Sequence, residues 1–118
     1  MALDTVQDYI DQARVLLQDT VDAPYRYPTA DLVDNLNMGV LEARRLRPEV
    51  FKPYFRSTLP DFSTSNMSAA VPVDPQVRVA FVYYICGMAQ LRDEENTQDA
   101  RSAMFLNKFV SQLLTIMA

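Results

Sequence analysis

The residue types that carry most enzyme chemistry are sparse in this sequence, and their spacing suits little of it. No histidine occurs in the 118 residues, which removes the commonest general base together with Ser-His-Asp and Cys-His relays. Cys86 is the single cysteine, so neither a Cys/His zinc site nor an intrachain disulfide can be written. Gly39 and Gly87 are the only glycines, too few for a phosphate-cradling loop or a dinucleotide fingerprint. Asp93, Glu94 and Glu95 offer oxygen donors to a hard cation. They lack the alternating ligand spacing and turn glycine of a calcium loop, and a solvated turn between helices is the plainer reading. Cys86 ends the apolar run Val79–Cys86 and is expected to be a buried, inert thiol. Two carboxylates suffice for glycoside hydrolysis, but no pair is marked as sharing a cleft. The chain is therefore expected to be no enzyme and to carry no catalytic, cofactor-binding or metal-binding residues. A small enzyme working with carboxylates alone is the weakest alternative.

Charge points to proteins as partners. The net charge of -4 argues against gripping phosphates as the main role, because that requires clustered cations. The one basic cluster is Arg44, Arg45, Arg47, Lys52 and Arg56. Two readings stay open for it: a solvated helix end complementing its dipole, or a dock for an acidic partner or a neighbouring subunit.

The elements that must position these groups are helical. Val6, Tyr9, Ile10, Ala13, Leu16 and Leu17 recur at helical spacing and predict a first helix over 5–18, capped by Asp4 or Thr5. Thr29 is the predicted N-cap of a second helix that Pro48 ends. Its buried stripe is Leu32, Val33, Leu36, Val40 and Ala43, while Met38 and Leu41 fall on the other side of the wheel, where they could meet a neighbouring subunit. Between 52 and 73 the periodicity stops. That stretch is expected to be a long projecting loop, with a short β-hairpin as an option, serving either as a binding surface or as a plain connector. Asp74-Pro75 signals the start of a third helix that reaches about Arg92 and is apolar nearly all round. Asn96 or Thr97 is the expected cap of a fourth. Ala103, Leu106, Val110, Leu113 and Met117 form one stripe there, and Phe105, Phe109 and Ile116 a second beside it. The third and fourth helices each need cover on two faces, more than one bundle face supplies. Either a subunit contact or the loop folding back would provide it. The expectation is one all-α domain over 1–118, a bundle of about four helices. Its longest apolar run falls far short of the about 18 residues that cross a bilayer, and Met1 to Asp4 lack a secretory pattern. No membrane association is expected.

Two segments resemble head-to-tail adaptor proteins of tailed bacteriophages. One is YPTADLVDNLN (27–37) leading into EARRLRPEVF (42–51), similar to the family's second-helix region. The other is VRVAFVYY (77–84), continuing through Arg92, Asp93, Glu94 and Glu95 to Arg101, Ser102, Ala103 and Phe109, similar to its last two helices. The likeness spans most of the chain outside the central loop. It implies a helical connector subunit of the virion neck, assembled in the host cytoplasm. Such subunits form a ring, typically dodecameric, beneath the portal protein. The ring would present an attachment surface to the tail or a nozzle component and let DNA pass without specific recognition. Expected interface residues are Met38, Leu41, Arg44, Arg45, Arg47, Phe105, Phe109 and Ile116. The alternative is a helical regulatory or adaptor module that binds one phage or bacterial protein.

Overall fold

The computed structural model describes residues 3–20, 27–47, 62–71, 73, 77–92 and 99–115. They form an all-α bundle of four helices: α1 (Val6–Leu17), α2 (Thr29–Leu46), α3 (Arg78–Arg92) and α4 (Asp99–Thr115). The described residues contain no β-strand; Thr5 and Ala70 make an isolated antiparallel bridge.

Helix α1 starts on a capping box. The Thr5 hydroxyl accepts from the Asp8 backbone N–H at 3.3 Å, and the Asp8 carboxylate accepts from the Thr5 N–H at 3.1 Å and the Asp4 N–H at 3.2 Å. Those backbone donors hold the Asp8 carboxyl below its ordinary value, the shift expected when the charged form is hydrogen-bonded. The helix ends at Gln18, whose backbone is left-handed with φ 58°. That turn brings Asp19 back under Arg14. The two form an ion pair at 2.9 Å, buried on both sides.

This pair joins α1 to α2. Arg14 also donates to the Tyr27 carbonyl at 2.9 Å and the Thr29 hydroxyl at 2.8 Å, and Asp19 accepts from the Tyr27 N–H at 2.9 Å. A buried pair is tolerable when such bonds satisfy its remaining polar groups. The network also explains why Thr29 is not the N-cap of α2. Its hydroxyl serves Arg14, and Pro28 takes the cap position with no side-chain bond; the Pro28 carbonyl accepts from Asp31 and Leu32 instead.

Helix α3 is the centre of the bundle. It packs most extensively on α4, then on α2 and α1, so most of its apolar circumference is covered inside the chain, while Val79 and Leu91 stay exposed. Two glycines set the approach distances. A Cβ on Gly39 would lie 2.9 Å from the Tyr84 ring, and one on Gly87 would lie 2.8 Å from the Leu106 side chain. Ser102 donates to the Gly87 carbonyl at 2.9 Å across the α3–α4 contact. Asp74, Pro75, Asn96 and Thr97, the predicted start signals of α3 and α4, lie outside the described residues.

The described part of the central loop does not project. Phe62, Val71 and Val73 are buried. Asn37 of α2 clamps Phe62 from both sides, donating to its carbonyl and accepting from its N–H, each at 2.8 Å. Residues 67–71 lie along the start of α1 through Val6 N–H to Ala69 O, Gln7 N–H to Met67 O and Val71 N–H to Asp4 O. The first two occupy the Val6 and Gln7 donors that a first helical turn leaves open. The expectation of a projecting loop is corrected for residues 62–71 and 73, because three apolar side chains gain burial by docking.

Candidate protein-interaction surface

The expected interface residues separate into three groups. Met38 and Leu41 are exposed as predicted, Leu41 at 63%. They sit one turn apart on the outer side of α2, near exposed Asp34 and Arg45. Arg45 pairs with Glu42 one turn back, and Arg44 is half-buried.

Arg47 has an internal task. Its guanidinium donates to the Leu113 carbonyl at 2.8 Å, placing a cation at the last turn of α4, where the helix dipole is negative. It ties the end of α2 to the end of α4 and is thereby a packing residue of the subunit.

Phe105 and Phe109 are corrected outright as contact residues. They are 4% and 1% exposed. Phe109 meets Tyr84 and Phe81 edge-on, with ring centroids 4.8 and 5.8 Å apart, and Phe105 lies flat against Tyr83 at 6.1 Å. Phe105 and Phe109 of the second stripe face inward together with Leu113 of the first, because aromatic packing on α3 fills the space between the two helices. Ile116 lies outside the described residues.

The outward apolar side of α4 is instead Met104, Val110 and Leu114, with exposed Ala103 beside them. Val110 and Leu114 are neighbours at i,i+4. Sequence periodicity placed Val110 on a stripe with Leu113 and could not tell which of two adjacent stripes faced inward. The tyrosine and phenylalanine partners on α3 decide it. Together with Met38 and Leu41, these residues give α2 and α4 apolar side chains that the chain itself leaves uncovered.

The groups considered for chemistry stand apart. The Cys86 thiol is fully buried and donates to the Ala13 carbonyl at 3.5 Å; burial pushes its pKa up to about 12, far from a reactive thiolate. Among the described residues no group of three or more metal-ligating side chains converges, and no helix is long and apolar enough to cross a membrane. The Asp93, Glu94 and Glu95 run lies outside the described residues.

Comparison with protein-family models, with curated proteins and with solved structures finds no match.

Proposed function

We propose that this chain is a structural subunit of a bacteriophage head-tail connector. It would form a ring, dodecameric in the virion, that joins the portal protein on one side. The other side would offer an attachment surface to the tail or a nozzle component. DNA would pass through the ring without specific recognition, and the net charge of -4 suits a channel that must not retain it. The subunit would be made in the host cytoplasm and act in the virion neck.

One observation carries the interaction part of this reading. Apolar side chains stand exposed as pairs one turn apart, Met38 and Leu41 on α2 and Val110 and Leu114 on α4, with Met104 also exposed on α4. Grouped exposed apolar side chains mark protein contacts more often than scattered ones do. The phage assignment is supported by the resemblance of residues 27–51 and 77–109 to head-to-tail adaptors. The resemblance implies a helical subunit, and the chain's all-α bundle is compatible with that.

The experiment is assembly of the purified protein with the portal protein of the same phage, read by native mass spectrometry and electron microscopy. A ring of this chain seated on the portal is expected. A complex with one other protein at fixed small stoichiometry, and none with the portal, would favour the regulatory-module reading and overturn this one.

A further inference from the structure

The exposed residues of α2 are Ala30, Asp34, Met38, Leu41 and Arg45. From Asp34 onward they follow one another at intervals of four, three and four residues, the spacing that keeps a seam turned toward one partner helix. The rest of α2 is buried or half-buried against its own bundle. Exposure on this helix is therefore confined to one stripe.

The order of residue types along the stripe describes its occupant. Met38 and Leu41 lie equally far on either side of a midpoint between Gly39 and Val40, and Asp34 and Arg45 lie equally far beyond them. The stripe thus reads acid, apolar, apolar, base. A second α2 laid antiparallel across it sets Met38 against Leu41 at the centre and Asp34 against Arg45 at both ends. A parallel arrangement would instead oppose Asp34 to Asp34 and Arg45 to Arg45.

Both charges can take such a partner. Asp34 is exposed and joins none of the ion pairs among the described residues. Arg45 donates to Glu42 through Nε and Nη2, which leaves Nη1 to bridge to a second carboxylate. Glu42 itself sits beside the seam, where the antiparallel register opposes it to neutral Asn37 of the other copy.

We propose that the outer stripe of α2 is a self-complementary contact for a second copy of this chain, with the two helices antiparallel. This inference goes beyond the connector reading and does not rest on it. An isologous contact closes at two copies, so the pair is a form of the free subunit, and any assembly through α2 has first to open it. One stripe per copy is a small interface, and the pair is accordingly weak.

Sedimentation equilibrium of the purified full chain, carried to millimolar concentration at low salt, tests the proposal without any portal protein; its failure would leave the assembly experiment above untouched. A reversible monomer–dimer equilibrium is expected. Asp34→Arg and Arg45→Asp each turn two attractive contacts into repulsive ones, and each alone should weaken dimerisation about tenfold or more, the combined scale of two exposed charge pairs. Leu41→Asp, at a position 63% exposed, should abolish the dimer and keep the helical circular dichroism. The decisive sample is an equimolar mixture of the Asp34→Arg and Arg45→Asp proteins. Both ends of the mixed pair are complementary, so the mixture should associate as tightly as the wild type although neither variant does alone. A chain that stays monomeric at every concentration would overturn the proposal. So would a dimer that the single reversals leave unchanged, or a mixture no better than its components.

Discussion

Helices α3 and α4 read alike in sequence, each apolar over more than one face, yet the bundle treats them differently. Helix α3 packs on α1, α2 and α4, which bury Phe81, Ile85 and Cys86 fully and leave only Val79 and Leu91 of its large apolar residues exposed. Helix α4 packs mainly on α3, which takes Phe105, Phe109 and Leu113, while Leu114 remains 49% exposed. An apolar surplus alone does not indicate a partner. It does so only where the fold supplies no cover, and here that distinction moves the expected contact surface from the phenylalanines to Met104, Val110 and Leu114.

The largest test of this contrast removes an inner residue of α4. Phe109→Ala should cost about 3–5 kcal/mol, the usual range for deleting a buried aromatic, measured as a shift in the urea unfolding midpoint. A cost near zero would mean that α4 does not pack on α3 as described.

A second test uses the enclosure of α3. The folded Cys86 thiol keeps its proton up to about pH 12, against an ordinary value near 9.0. The unfolded chain therefore ionises first, and stability should fall as pH rises above about 9, by up to about 1.4 kcal/mol per pH unit. The same burial raises the Tyr9 hydroxyl and adds to the loss above about pH 10. Denaturant melts of the wild type against Cys86→Ala would read the difference: the variant should lose less stability between pH 8 and 10.5.

Smaller still is Gly87→Ala. Alanine favours a helix interior by about 1 kcal/mol, but its Cβ would meet Leu106 at 2.8 Å, and such overpacking costs about 1–3 kcal/mol. A net loss of about 1 kcal/mol in thermal or urea unfolding is expected. Stabilisation would show that α4 can move away from α3 freely.

Much of this contrast was legible in the sequence. The four helices, the capping residue Thr5 and the outward turn of Met38 and Leu41 follow from periodicity and end signals, which are local properties. What stayed hidden depends on distant partners. The inward choice of Phe105 and Phe109 is made by Tyr83, Tyr84 and Phe81 on another helix. Thr29 lost its capping role to Arg14, fifteen residues earlier, and Arg47 found its partner 66 residues away. Phe62 sits in a stretch without periodicity, and only its clamp by Asn37 shows that the segment docks.

The smallest effect on stability should come from the outer face. Val110→Ser with Leu114→Ser is expected to change the unfolding free energy by no more than about 0.5 kcal/mol, the usual scale for surface substitutions, and still to prevent association with the portal. A large loss of stability would return these residues to the core.

The most direct measurement of the interface itself exploits the silence of the native thiol. Cys86 is buried, with its pKa pushed up to about 12, so a cysteine placed at Val110 would be the one reactive thiol of the folded protein. Maleimide labelling of Val110→Cys should be fast in the free subunit and strongly suppressed in its complex with the portal. Equal labelling rates in the two states, with the complex intact, would contradict the claim that the outer face of α4 is a contact surface.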